Sequence, residues 1–400
     1  MAETFEPASA IQDFLVFGEY GDVNPSITDS ATYTFLNPET MQEMFEHGVE
    51  GCYLYSRHWN PTNKYLSEAL SAMEHTESAQ VTASGMSAIA CTLLQLCQTG
   101  DEIISSWTIY GGSYALFKNF LPRLGIRTLF GNFRDLDAIK KLITKKTKII
   151  YTESISNPLL EVADINNLAK LAHEHGLTLV VDNTFSPMIL SPARLGADVV
   201  VHSMTKFING TSDCVAGCIC ASKQLIDAVI DVNSGATMLL GPVLDSFRAA
   251  SILKNLHSLH VRMQQHSHNA LKVATFMHER GLKVYYPGLK THEDHLLMKS
   301  MMHPMLGFGG MITLDVGSVL CANKLMALMQ QHKVGYLAVS LGYFKTLFSA
   351  PSHSTSSEIP VEIQQSIGLR PGMIRLSIGL DQDIGRTIAR LTSCLNACGF

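Results

Sequence analysis

Lys148-Ile-Ile-Tyr151, Val162-Ala-Asp-Ile-Asn-Asn-Leu-Ala-Lys-Leu-Ala172 and Leu177-Thr-Leu-Val-Val181 succeed one another in the middle of the chain. The first and third are short β-rich runs. Between them Ile165, Leu168, Ala169 and Ala172 share one helical face, with Asp164 placed as N-cap and Gly176 as the stop. The third run is apolar throughout its core, as a strand covered on both faces is. Strand, helix and strand at this spacing predict a parallel sheet with helices packed against it. The alternation extends outward over residues from about 59 to 242. Before it, residues 1 to about 58 read as an extended arm with one short helical stretch. After Gly241-Pro242 comes a long helical stretch, Leu253-Lys-Asn-Leu-His-Ser-Leu-His-Val-Arg-Met263, then shorter mixed segments. The expected organisation is an arm over 1–58, a large α/β domain over 59–257 and a smaller α/β domain over 258–400. There is no internal repeat, and Pro351-Ser-His-Ser-Thr-Ser-Ser357 is a loop.

Composition narrows the class. Of 400 residues, 46% are hydrophobic and only 16% charged, which argues for a folded chain with a sizeable core. A net charge of −5 gives no bulk attraction to nucleic acid or an anionic membrane. No run approaches the ~18 apolar residues of a membrane span. The start, Met1-Ala-Glu-Thr-Phe-Glu6, lacks the basic-then-apolar order of a signal peptide. Nine cysteines, an odd number set mostly in apolar runs, suit free thiols in a reducing compartment. A cytoplasmic protein is expected.

In open parallel sheets ligands gather at the carboxyl ends of the strands, and three of those ends carry chemistry. Val81-Thr-Ala-Ser-Gly85-Met-Ser-Ala-Ile89 runs from a strand through a Gly turn into a helix, whose free N–H groups form a phosphate seat. Leu179-Val-Val-Asp182-Asn-Thr184 ends a buried strand on a carboxylate that needs a cation to stay ionised; the plainer reading is a helix cap. Ala197-Asp-Val-Val-Val-His-Ser203-Met-Thr205-Lys206 delivers a lysine from a core strand beside hydroxyls. Poor solvation there lowers the amine's pKa, and a free amine condenses with a carbonyl. A phosphate seat, a buried acid and a Schiff-base lysine match the phosphate, ring nitrogen and aldehyde of pyridoxal phosphate.

Longer stretches extend the match: Tyr55-Ser-Arg57-His-Trp-Asn-Pro-Thr, Ala83-Ser-Gly-Met-Ser-Ala, Tyr110-Gly-Gly, Glu153-Ser-Ile-Ser-Asn157-Pro, Val181-Asp182-Asn-Thr-Phe, His202-Ser-Met-Thr-Lys206 and Arg375-Leu-Ser-Ile-Gly. In this order they resemble the Cys/Met-metabolism family of pyridoxal-phosphate enzymes over residues from about 50 to 380. Phe17-Gly-Glu-Tyr-Gly21, Gly51-Cys-Tyr-Leu-Tyr55 and Ala338-Val-Ser-Leu-Gly342 are most similar to its plant-type methionine γ-lyase branch. The resemblance implies an aspartate-aminotransferase-like (fold type I) α/β fold with a mostly parallel central sheet and a smaller C-terminal domain. It further implies a homotetramer built as a dimer of tight dimers. By resemblance, Lys206 holds the cofactor and shuttles protons, and Asp182 pairs with the ring nitrogen. Gly85, Met86, Ser203 and Thr205 hold the phosphate, joined by Tyr55 and Arg57 of the neighbouring subunit. Tyr110 stacks on the ring and protonates the departing sulfur, Asn157 lies near the phenolic oxygen, and Arg375 clamps the substrate carboxylate with Ser340 beside it.

The expected reaction is elimination of a thiol from a sulfur amino acid, methionine giving methanethiol, 2-oxobutanoate and ammonia. Val339 stands where cystathionine γ-lyases and γ-synthases commonly carry Glu, and an apolar residue there suits a methylthio tail. Gly112 stands where bacterial methionine γ-lyases carry Cys. Cystathionine β- or γ-lyase, cystathionine γ-synthase and O-acyl-homoserine sulfhydrylase remain as alternatives on the same fold. His257, His260, His266 and His268 have no Cys or Asp partner in the pattern, so no metal is expected. Cys214, Cys218 and Cys220 read as strand core, and Lys140-Lys-Leu-Ile-Thr-Lys-Lys-Thr-Lys148 as a solvated helix face with its following loop.

Overall fold

A computed structural model describes residues 5–15, 20–46, 48–49, 51–354 and 356–400. Phe17, Gly18 and Glu19 of the plant-type motif lie outside the described residues. A seven-stranded sheet runs β1 (Ser78–Thr82), β2 (Glu102–Ser106), β3 (Arg127–Gly131), β4 (Thr147–Glu153), β5 (Thr178–Asp182), β6 (Val199–Ser203) and β7 (Gly217–Ala221). Its spatial order is β1-β7-β6-β5-β4-β2-β3. Strands β6, β5, β4, β2 and β3 are mutually parallel, and β7 lies antiparallel to both its neighbours. The second sheet holds β8 (Lys283–Tyr285), β9 (Met311–Asp315), β10 (Tyr336–Leu337), β11 (Leu347–Ser349) and β12 (Met373–Ser377). It is ordered β10-β11-β12-β9-β8 and is antiparallel except for the β10–β11 pair. This is the mostly parallel type I sheet with a C-terminal α/β unit.

The deciding stretch folds as its pattern dictates. Helix Ile165–Glu174 buries Ile165, Leu168, Ala169 and Ala172, Asp164 accepts the Asn167 N–H, and Gly176 takes a positive φ of 66°. β5 and β6 are buried on both faces: Leu179, Val181 and Val200 pack into one core, Val180, Val199 and Val201 into the other.

Elsewhere the sequence pattern was incomplete. Among its described residues the arm carries two helices rather than one, Pro7–Asp13 and Pro38–Glu46. The first is short and has only Pro7 and Ile11 buried, too few positions to show a period. The long helical stretch is two helices, Ser246–Leu256 and Leu259–Glu279, broken at His257 and Ser258. Leu259 and Met263 of the second helix join the first core, while Ala270, Val273 and Met277 join the core of the second sheet. That helix therefore fastens the two sheets together. Cys218 and Cys220 lie in β7, whereas Cys214 precedes it, and all nine cysteines are free. His266 is buried with Nδ1 on the Ile378 carbonyl at 2.6 Å.

Candidate active site

One cavity of about 260 Å³ opens at the carboxyl ends of β4, β5 and β6, roofed by segments of the second unit. Gly85, Met86, Tyr110, Asn157, Asp182, Ser203, Thr205, Lys206, Val339 and Arg375 all line it. Residues from Gly85 to Lys206 converge because parallel strands deliver their C-terminal ends to one edge, and Val339 and Arg375 reach the same cavity from the second unit.

The floor begins at helix Gly85–Leu96. Ser84 and Ser87 cap each other reciprocally, each side chain accepting the other's N–H at 3.0 Å. The N–H groups of Gly85 and Met86 remain without an acceptor among the described residues and border the cavity. A Cβ on Gly85 would lie 2.6 Å from Ser203 Cβ and 2.9 Å from its Cα, so only glycine lets the helix start lean on β6. Gly217 of β7 touches the Ser84 carbonyl for the same reason. Ser203 points a hydroxyl toward this seat, but the Thr205 hydroxyl is engaged with Ala216, donating to its carbonyl at 3.2 Å and accepting its N–H at 3.0 Å.

Two acids end neighbouring strands in register, Glu153 on β4 and Asp182 on β5. Asp182 caps no helix: its Oδ1 accepts the Thr184 N–H at 3.0 Å and hydroxyl at 2.6 Å, and the Thr184 oxygen in turn accepts the Ser203 N–H at 2.8 Å. Burial raises the Asp182 pKa above the usual carboxylate range, against the pull of the Thr184 bonds and of His202. Glu153 is a further site residue, carrying the same signal as Asp182, an acid closing a core strand. Its carboxylate accepts the N–H of Tyr110 at 2.6 Å and of Asn157 at 2.9 Å, so one side chain fixes both loops. Burial, and Asp182 beside it, push its pKa well up.

Lys206 leaves the end of β6, and its Nζ donates to Ser340 Oγ at 3.2 Å. Burial, and then the Arg375 charge, lower its pKa from 10.5 to about 8, the direction expected of a poorly solvated amine. Arg375, on β12, is buried; it donates to Asn157 Oδ1 at 3.0 Å and to the Ser340 carbonyl at 3.5 Å. Burial lowers its pKa to about 10. Tyr110 is 40% exposed at the cavity edge, its phenol pushed up by burial and by Glu358. A Cβ at Gly112 would stand 2.5 Å from Tyr110 Cε1, so no side chain fits there with the ring in this position. The remaining wall is apolar: Ile155, Phe185, Val215, Val339 and Leu341.

Tyr55 and Arg57 do not reach this cavity. Arg57 lies 5.4 Å from the Tyr55 ring centroid and borders a separate cleft with Trp59 and Pro242.

The donor set fits pyridoxal phosphate. The N–H groups of Gly85 and Met86, two residues lining the cavity, have no acceptor among the described residues, the buried acid Asp182 is raised by desolvation, and a lysine whose pKa is lowered to about 8 shares the space. A lysine, an acid and a phosphate seat at the strand ends of a mostly parallel sheet define a type I pyridoxal-phosphate enzyme. The Cys/Met metabolism PLP-dependent enzyme model matches residues 15–393, and the chain belongs to that family. By class it is a pyridoxal-phosphate-dependent carbon–sulfur lyase. A methionine gamma-lyase of Arabidopsis thaliana is 46% identical over 381 residues, 94% of this chain and 86% of the relative. A cystathionine gamma-lyase of Dictyostelium discoideum is 37% identical over 92% of each chain. A crystal structure of a putative O-acetylhomoserine (thiol)-lyase from Campylobacter jejuni, containing a pyridoxyl-lysine monophosphate, superposes with a TM-score of 0.90. It is 28% identical and covers 98% of this chain and 100% of that one.

Proposed function

We propose that this enzyme converts methionine and water to methanethiol, 2-oxobutanoate and ammonia. The observation that carries this reading is the pairing of the buried Arg375 guanidinium with an apolar wall that includes Val339. Arg375 takes the substrate carboxylate, since a guanidinium fork matches a carboxylate and this one is buried. The wall accepts a methylthio tail and offers a distal ammonium nothing charged. The likeness to the Arabidopsis relative supports the same reading.

The residues divide the work. Gly85, Met86, Ser203 and Thr205 would hold the cofactor's phosphate, for which the Thr205 hydroxyl would turn from Ala216. Asp182 would hold the ring nitrogen's proton, Asn157 would serve the phenolic oxygen, and Lys206 would hold the aldehyde carbon. When bound, the cofactor supplies an electron sink conjugated to the substrate's Cα. Lys206 would take the Cα proton and, once it has released that proton, take one from Cβ; its lowered pKa suits this repeated transfer. Tyr110, kept protonated by burial and by Glu358, gives its proton to the leaving sulfur. Ser340 steadies the amine, and Glu153 steadies Tyr110 and Asn157.

Tyr55 and Arg57 complete the phosphate seat of a neighbouring subunit, in a homotetramer of tight dimers. That assignment gives residues 1–58 their purpose as an arm, beside a large domain over 59–257 and a smaller one over 258–400. Among the described residues no helix is long and apolar enough to cross a membrane, and the compartment proposed is the cytoplasm.

Cystathionine is the second reading, favoured by Glu358: it is near enough to Tyr110 to raise its phenol and could meet a distal ammonium. Steady-state turnover of methionine, homocysteine, cystathionine and cysteine, read as keto acid and thiol, separates them. Methionine as the best substrate supports the proposal; turnover only of cystathionine, or only of an activated homoserine plus a thiol, overturns it.

A further inference from the structure

Arg262 is a cation that none of the chemistry above uses. It stands near the start of helix Leu259–Glu279 and has no ion-pair partner among the described residues. A largely desolvated charge without a counter-ion is costly unless hydrogen-bond acceptors replace the lost water. Here backbone carbonyls do so: Nη1 donates to the Phe207 carbonyl, and Nη2 donates to those of Ile208 at 2.8 Å and Asn255 at 2.9 Å. Nε adds a bond to Ser258 Oγ at 3.3 Å.

Two of these carbonyls directly follow Lys206. In the turn that carries the lysine, the Asn209 N–H donates to the Met204 carbonyl and the Gly210 N–H to the Lys206 carbonyl. The Phe207 and Ile208 carbonyls find no backbone donor there, and the guanidinium fork spans both. The surroundings are cut to admit it. Gly210 has φ +75°, and a Cβ on it would stand 2.5 Å from Arg262 Nη1. From another side a Cβ on Gly342 would meet Phe207 N at 2.5 Å and the Lys206 carbonyl carbon at 2.8 Å. Lys206 thus has its backbone held between the guanidinium and the loop that carries Ser340, while its amine reaches the Ser340 hydroxyl.

We propose that Arg262 is a positioning residue for the reacting lysine: by gripping the Phe207 and Ile208 carbonyls it fixes the Lys206 backbone, so that the amine reaches its working positions. This inference rests on the reading of Lys206 as the cofactor's lysine. A lysine at 262 keeps the charge but cannot fork across two carbonyls.

The test compares the holoenzymes of wild type, Arg262→Lys and Arg262→Met, with Lys206→Ala as control. Per bound cofactor, kcat falls by roughly 10- to 100-fold in both Arg262 variants, as a displacement of about 1 Å at a reacting group does. KM stays within about threefold, because carboxylate binding is untouched. The pH midpoint of the bound cofactor's visible band moves by about half a unit or more, as a displaced amine changes its solvation. Wild-type kcat per cofactor and an unmoved midpoint in Arg262→Lys overturn the inference, even with a lower melting temperature. If Arg262→Met fails to fold, Arg262→Lys decides alone. A wild-type, pH-responsive band in Lys206→Ala refutes instead the assignment of Lys206, a result distinguishable from the failure of Arg262.

Discussion

Gly85→Ala is the sharpest perturbation of the proposed phosphate seat. The added Cβ stands 2.6 Å from Ser203 Cβ and 2.9 Å from Ser203 Cα, and the second contact is to backbone, which no rotamer change relieves. Carbon atoms rest at about 3.5–4.0 Å, so the helix start must withdraw from β6 by about 1 Å. The Gly85 and Met86 N–H groups withdraw with it. A hydrogen bond to a charged group is worth about 1.5–3 kcal/mol, so losing one weakens phosphate binding by roughly 10- to 150-fold. Helix propensity pulls the other way, since Ala favours a helix interior over Gly by up to about 1 kcal/mol. Weak cofactor binding with a nearly unchanged apoprotein melting temperature is therefore the expected signature. Titrating apoprotein with pyridoxal phosphate and following the visible band measures it. An affinity within about threefold of wild type would refute the seat as described.

Three further predictions follow from other parts of the site. Glu153→Ala frees the N–H groups of Tyr110 and Asn157, and kcat should fall about 10- to 100-fold, while Glu153→Gln, retaining an acceptor oxygen, should lose less; steady-state kinetics reports both. The Lys206 amine has a pKa of about 8 folded against 10.5 in its ordinary state, so the unfolded chain holds more protons between those values and the cost of burying the amine shrinks as pH rises through them. Apoprotein carrying Lys206→Met should melt above wild type near pH 7, with the gap closing toward pH 10; a constant gap would contradict the lowered pKa. Val339→Glu places a carboxylate on the apolar wall and should shift the kcat/KM ratio toward cystathionine over methionine by about tenfold or more, read by keto-acid release.

What was legible in the sequence was local. The helix between β4 and β5 advertised itself by an N-cap, an apolar face and a terminal glycine within one short window, and the structure keeps all three. Gly85 and Lys206 each follow a strand and Asp182 ends one, and parallel strands bring such positions to one edge without any long-range information. What escaped was tertiary. Glu153 acts by reaching back across 43 residues to the Tyr110 N–H, and Asn157 meets Arg375 across 218. No period or spacing encodes such contacts. The Thr205 hydroxyl satisfies the Ala216 backbone, a bond visible only once β7 folds back beside β6. The break at His257 and Ser258 is likewise unmarked by Gly or Pro, because it is set by where the helix must turn to serve the second core.

The central claim is that the amine of Lys206 joins the cofactor's aldehyde with the Asp182 carboxylate at its nitrogen. Borohydride reduction of the holoenzyme, followed by proteolysis and peptide mass spectrometry, tests it most directly. A single pyridoxyl-phosphate adduct is expected, on the peptide that contains Lys206. An adduct on any other lysine, or none in enzyme that turns over substrate, would contradict it.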